Sequence, residues 1–291
     1  MTHYTFNRYH LGDNLIFLHL LRALAKQRPD HLFVHFCNGC HIGQLVEVVQ
    51  DLPNIMLAAF ESPLWGQHKH EAINTWKNCG ATDTRKGEQQ NYVPGFWELS
   101  KHRWDWSSFT LEHHAFIAHK MGLVSPFSCR EHLLFDWPLL QTGSTGVKFD
   151  FLIVNSEPCS GQFSQMAQHE SGYLDELARA LLQSGNSVFL TKPLKNPCFT
   201  DAEVSARCYQ GDKATSTISW WGYISSLCKH HIMVATGPMW PTLNTHNHHN
   251  HEGRKRIVLL DNSEHLNMPH ILQFTGVEPV MELAKTEGWV T

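Results

Sequence analysis

The chain has no apolar run approaching the roughly 20 residues needed to span a bilayer. Its opening, "MTHYTFNRYH", has no apolar core of signal-peptide type. No short repeat period is visible. Charge is scarce: 17% of residues are Asp, Glu, Lys or Arg, and the net charge is −4 with histidine neutral. There is therefore no basic excess to give general nucleic-acid affinity. The 8 cysteines contain a single CxxC, Cys37 and Cys40. A zinc site wants a second pair, or two more ligands at suitable spacing. In a chain this long, with no secretion signal, scattered cysteines read as free thiols. His35 and His41 lie near the CxxC, so a packed pair and a metal or redox pair both stay open. The expectation is a soluble, cytoplasmic protein with no transmembrane segment, no nucleic-acid partner and no metal.

What is present points to a packed enzyme. The 291 residues are 42% hydrophobic, enough for one large domain or two of ordinary size. A weak strand at 4–9 leads into a helix in which Leu15, Leu18, Leu21 and Leu24 recur at helical spacing. A strand at 31–37, a helix at 42–52 and a strand at 54–60 follow. This βαβαβ start is that of a doubly wound parallel sheet. Residues 61–108 lose the rhythm and carry Trp65, Trp76, Trp97, Trp104 and Trp106. Rings among polar groups suit lid or core packing, and they also suit the faces of sugars. A helix is read over 110–123.

"LLQTGSTGVK" at 139–148 is the best linker candidate. After it the alternation restarts. Strands are read at 149–155, 187–192, 231–236 and 256–261, and helices at 172–185 and 217–230. The fold class predicted is α/β, with two Rossmann-like doubly wound domains, 1–140 and 147–291, facing a central cleft. Ligands of such sheets sit at the carboxyl ends of the strands, so the chemistry is sought there.

Three stretches answer that description. In "HLGDN", 10–14, Asp13 is placed to take a proton from a hydroxyl, with His10 as a second base, and Gly12 allows close backbone approach. The plainer reading is a helix N-cap at Asp13 or Asn14. In "VATGPMWPTLN", 234–244, a strand runs into Thr236, Gly237, Pro238 and Met239. Backbone N–H groups at such a helix mouth can bind phosphate oxygens. Lys192 ends the strand at 187–192, as an exposed lysine or as a cation neutralising a diphosphate. Ser160, in the loop after the strand at 149–155, is a further anion contact. The run "NTHNHHNHEGRKR" gathers His246, His248, His249 and His251, as a solvated loop, a contact to an anionic ligand or a metal site.

Two of these stretches together resemble a known family. "HLGDNLIFLHLLRAL" is similar to the amino-terminal signature of the heptosyltransferase-like glycosyltransferases. "YISSLCKHHIMVATGPMW" is similar to their carboxy-terminal signature, and the two occur in the family's order. The resemblance implies a GT-B architecture, with the acceptor bound to the first domain and a nucleotide sugar to the second. It implies an inverting, metal-independent transfer of a sugar to a glycan or lipid-linked glycan acceptor, with no cofactor. Asp13 would match the catalytic base, Thr236 and Gly237 the diphosphate loop, and Lys192 a phosphate-pairing lysine. Ala235 stands where the family usually carries Asp or Asn, and Trp240 where a His often follows, so donor sugar and nucleobase stay open. The rival readings are a non-catalytic nucleotide- or glycan-binding protein of the same fold and a sugar-nucleotide epimerase or hydrolase.

Overall fold

The computed structural model describes residues 1–76, 106–140, 148–155, 164–194, 206–210, 217–250, 252–259 and 266–291. The chain divides into two compact units, Met1–Leu133 and Leu134–Thr291.

In the first unit, β1 (Thr2–Asn7), β2 (Leu32–Cys37), β3 (Ile55–Ala59) and β4 (Ile73–Asn74) form a parallel sheet in the order β3-β2-β1-β4. β1 pairs with β2 from Thr2↔Leu32 to Asn7↔Cys37, and with β4 at Thr5↔Ile73 and Phe6↔Asn74. The helices are α1 (Leu11–Gln27), α2 (Gly39–Val49), α3 (Pro63–His68) and α4 (Trp106–Lys120). Leucines 15, 18, 20, 21 and 24 of α1 are all buried, which accounts for the breadth of its apolar face. Phe6, Val34, Phe36 and Ala72 form a separate cluster with Phe60 and Trp65 against it. Trp65 meets Phe6, Phe36 and Phe60 edge-on, so this tryptophan is a packing residue. Trp97 and Trp104 lie outside the described residues.

The second unit comprises β5 (Phe149–Val154), α5 (Ser164–Gln183), β6 (Val188–Leu190), β7 (Cys208–Gln210), α6 (Ile218–Ser226) and β8 (Cys228–Val234). A 3₁₀ turn (Gly237–Thr242), α7 (Thr245–His249), β9 (Arg256–Leu259), β10 (Ile271–Phe274) and α8 (Val277–Thr286) follow. Its six parallel strands run β10-β9-β8-β5-β6-β7. Three strands step outward from β5 and three more from β8, which is the Rossmann strand order. Phe151, Ile153, Leu177, Leu181, Ile232 and Val280 lie in its core, between sheet and helices.

Three differences from the sequence reading have physical causes. The helix read over 217–230 stops at Ser226, and the strand after it begins at Cys228. Leu227 ends the helix, and its carbonyl accepts from the N–H groups of Lys148 and Phe149. His230 and His231 then pair with Phe151 and Leu152 of β5. β4, β7 and β10, with 2, 3 and 4 residues, went unread because they lack the unbroken run of three apolar residues that marks the equally short β6 and β9. The units divide before the glycine-rich stretch rather than in it. Phe135 donates its N–H to Leu243 and accepts from Thr245, and Leu140 packs on Gly222, so residues 134–140 belong to the second unit. Residues 141–147 lie outside the described ones.

Candidate functional site

Strand order reverses between β1 and β4 in the first unit, and ligands of open parallel sheets bind outside the carboxyl ends at such a point. The sequence Asn7–Arg8–Tyr9–His10 leaves β1 there, and Thr75–Trp76 leaves β4. Two matching turns shape the edge: Asn7 Oδ1 accepts from the Tyr9 N–H (2.9 Å), and Asn74 Oδ1 from the Trp76 N–H (3.1 Å). The rings of Tyr9 and Trp76 stack with centroids 3.7 Å apart. Thr75 donates its N–H and its hydroxyl to the carbonyl of Phe6, at 2.9 and 3.0 Å.

Asp13 sits in the first turn of α1, where the helix dipole favours a carboxylate. It lines a small crevice, partly open to solvent, with Ile16, Phe17, Thr75, Thr110, His113 and His114. His113 Nε2 donates to the Thr75 carbonyl (3.1 Å). The hydroxyl of Thr110 is buried in the crevice wall and has no hydrogen-bond partner. Thr75, Thr110, His113 and His114 went unnoticed in the sequence. The one signal available was the His-His pair within a helix, and helical spacing does not say which strand end it faces.

Neither Asp13 nor Asn14 caps α1. The helix begins at Leu11, and its N-cap is His10, which makes no side-chain cap. His10 is exposed, and Gly12 is buried at the second helical position. Asn14 has another task. Its Nδ2 donates to the His10 carbonyl (2.9 Å), so its Oδ1 accepts from His35 Nε2 (2.9 Å). His35 Nδ1 is then the acceptor for the Thr5 hydroxyl (3.0 Å). Burial pushes the His35 imidazole down to about 3, so it is neutral and this chain of bonds persists at neutral pH. It ties β1 and β2 to the turn carrying Asp13.

In the second unit the order reverses between β5 and β8. Asn155 follows β5 and is buried. Its Oδ1 accepts from the Thr191 hydroxyl and the Lys192 N–H, both at 3.0 Å, and its Nδ2 donates to the Lys192 carbonyl (3.1 Å). The backbone of half-buried Lys192 is thus clamped beside the reversal point. Sequence reasoning passed over Asn155 as the first residue of a loop. Thr236, two residues beyond β8, starts the 3₁₀ turn, and its hydroxyl is buried with no partner. A Cβ added to Gly237 would meet nothing within 4 Å, so the protein's own packing does not demand a glycine there. Pro238 has no N–H. Met239 donates its N–H to Thr236 (3.0 Å), and its side chain is fully buried, so Met239 anchors the turn. Gly237 keeps the leading N–H that a helix start leaves over. Ser160 lies outside the described residues.

The histidine run forms the short helix α7, and asparagines do its structural work. Asn244 caps it by accepting from the Asn247 N–H (2.8 Å). Buried Asn247 donates to Ser225 Oγ (2.7 Å) and to the Thr242 carbonyl (2.9 Å). His251 lies outside the described residues. Cys37 is buried and its thiol is pushed up to about 12 by burial, while Cys40 is exposed. Among the described residues, no three His, Cys, Asp or Glu side chains are grouped to hold a metal ion.

No protein-family model and no curated protein matches the sequence. Solved structures do. E. coli heptosyltransferase WaaC with ADP-2-deoxy-2-fluoro heptose aligns with a TM-score of 0.55 at 12% identity, over 99% of this chain and 100% of that one. E. coli ADP-heptose LPS heptosyltransferase II aligns with a TM-score of 0.56 at 13% identity, over 98% of each chain. The dodecameric iron-containing heptosyltransferase TibC, in complex with ADP-D-beta-D-heptose, aligns with a TM-score of 0.53 at 12% identity, over 93% of this chain and 61% of that one. With its parallel sheets in two α/β units, the chain has the GT-B fold of these heptosyltransferases, the fold its two sequence signatures resemble.

Proposed function

We propose that the protein is a glycosyltransferase that moves a sugar from a nucleotide sugar to a hydroxyl of a glycan or lipid-linked glycan. The observation that carries this reading is the placement of two sets of residues. Asp13 stands at the reversal point of one parallel sheet. Asn155, Thr236 and Gly237 stand at that of the other, with Lys192 on the neighbouring strand end. The donor's diphosphate is held by the Gly237 N–H, the Thr236 hydroxyl and the Lys192 ammonium. The Asp13 carboxylate takes the proton of the acceptor hydroxyl. That oxygen bonds to the anomeric carbon from the face opposite the diphosphate, with inversion. The bond from the anomeric carbon to the diphosphate oxygen breaks, and the electron pair leaves on the diphosphate, where Lys192 stabilises it. His10 is exposed at the helix start and is the second candidate base. The reaction so written needs no metal and no cofactor.

The test is a panel of nucleoside diphosphates and their sugars, read by thermal shift and by nucleotide release, with and without EDTA. We expect one nucleotide to raise the melting temperature of wild type and of Asp13→Asn alike, by mass action. Removing the general base should lower turnover roughly 10²–10⁴-fold, and EDTA should change nothing. Loss of turnover with EDTA would place a metal in the reaction, as the iron-containing structural neighbour makes worth testing. Binding without Asp13-dependent turnover would leave a nucleotide-binding protein of this fold. No shift with any nucleotide would overturn the reading.

A further inference from the structure

The first unit holds a buried polar chain that ends beside Asp13. We propose that Asn14 and His35 are positioning residues. One chain of hydrogen bonds, from Thr5 to His35 to Asn14 to the His10 carbonyl, fixes the start of α1 and with it the direction of the Asp13 carboxylate. This deepens the glycosyltransferase reading and rests on it.

Three carboxamides hold the backbone that enters α1. Asn7 Oδ1 accepts from the Tyr9 N–H (2.9 Å), Asn38 Nδ2 donates to the Arg8 carbonyl (2.8 Å), and Asn14 Nδ2 donates to the His10 carbonyl (2.9 Å). The Asn14 backbone N–H meets that same carbonyl at 3.2 Å. Side chain and backbone of one residue therefore close the turn that carries Asp13. Asn14 is held from beneath as well. Its Oδ1 accepts from His35 Nε2 (2.9 Å), and His35 Nδ1 accepts from the Thr5 hydroxyl (3.0 Å). The carbonyl at the end sets the direction of every bond. It only accepts, so Asn14 presents Nδ2 to it and Oδ1 to the ring. Bonds aligned in this way strengthen one another. Thr5, Asn14 and His35 are 1%, 0% and 0% exposed, so a group cut off from its partner here stays unpaired at a cost. The His35 ring also packs on Phe17, with centroids 4.9 Å apart, and Phe17 lines the crevice with Asp13. One ring thus backs both the turn and the crevice wall. Helix capping alone does not call for this, since a Ser or Asp in place of His10 would cap α1 with a single side chain. A general base does call for it. Its oxygen has to stand within hydrogen-bond reach of the proton it takes, and small displacements are costly in rate. Burial keeps the His35 ring neutral, so the chain stays unchanged around neutral pH.

The test compares His35→Leu, Asn14→Ala, the two combined, and His35→Gln in the full-length protein. Nucleotide-sugar turnover, nucleoside diphosphate affinity and urea midpoint are measured on each. His35→Leu and Asn14→Ala should each lower kcat about 10- to 100-fold and leave nucleotide affinity unchanged. The double variant should lose no more kcat than either single one, because both cut the same chain. His35→Gln still offers an amide N–H to Asn14 and should recover most of the kcat. The pH at which its kcat falls on acidification should match wild type, since the ring holds Asp13 in place and carries no proton for the reaction. Losses that multiply in the double variant, or a His35→Gln enzyme no better than His35→Leu, would overturn the proposal. Variants that lose urea stability and keep the wild-type kcat would overturn it too. Ring-nitrogen NMR of wild type should place the His35 proton on Nε2. A proton on Nδ1 would overturn the chain without any variant, and so decides even where His35→Leu does not fold. An active wild type whose variants turn over normally would sink this inference alone. A wild type with no turnover on any nucleotide sugar would sink the glycosyltransferase reading, and this inference with it.

Discussion

Single residues in this protein act through partners distant in sequence. Asn155 shows it most directly. One buried carboxamide takes the Thr191 hydroxyl and the Lys192 N–H and gives back a hydrogen bond to the Lys192 carbonyl. Asn155→Ala leaves those groups without their partner in a buried place. It should destabilise the second unit by about 1–3 kcal/mol and weaken nucleoside diphosphate binding through the loosened Lys192 backbone. Denaturant melts and nucleotide titration check the two effects separately, and Asn155→Asp should retain more stability than Asn155→Ala because its carboxylate still accepts from Lys192. The sequence could place Asp13, Lys192 and Thr236 near strand ends, because Gly12, Pro193 and the Gly237–Pro238 pair mark where those segments turn. The roles of Asn14, Asn155 and Thr110 were not legible. Their signatures are hydrogen bonds made or left unmade across folded elements, and such residue types are common in loops and caps.

At the scale of elements, α6 and the segment 134–140 depend on one close contact. A Cβ on Gly222 would come within 2.4 Å of Leu140 Cδ2 and 3.3 Å of its Cα. Gly222→Ala should therefore cost roughly 1–3 kcal/mol by overpacking, and Gly222→Ala with Leu140→Ala should recover part of it. Urea midpoints of the two variants read this coupling. Equal loss in both would show that the glycine serves α6 alone. The same contact helps to group residues 134–140 with the second unit. A glycine-rich stretch marks where a chain can bend, whereas Phe135 and Leu140 decide which unit the preceding residues join. Element type was readable for most of the longer elements, because helical and alternating periods are set by near neighbours; β4, β7, β10, α3, α7 and α8 were not read. The helix read through His230 failed because apolar residues continue at both periods across Leu227, and only pairing with β5 chooses between them.

For the whole molecule, buried neutral imidazoles set the response to acid. Burial holds His35 and His231 down to about 3 and His230 down to about 4, against roughly 6.5 in the unfolded chain. Between those values the unfolded state binds protons that the folded state does not. Stability is therefore full above about pH 6.5 and declines on acidification toward the folded values, at about 1.4 kcal/mol per pH unit for each group. Denaturant melts from pH 7 down to 4.5 should show this slope, and His35→Gln should remove about one proton's share of it from the first unit. A flat profile would mean that these rings are not buried neutral. No described helix is long and apolar enough to cross a membrane. The sequence by itself determined the α/β class and the strand ends where candidate residues stand, because periodicity and turn chemistry act between neighbours along the chain. Only the tertiary structure decided that β4 lies beside β1 and β8 beside β5. Strand pairing joins residues far apart in sequence, and that pairing makes a crevice of Asp13, Thr75, Thr110 and His113 and sets Asn155 at the point where the second sheet reverses.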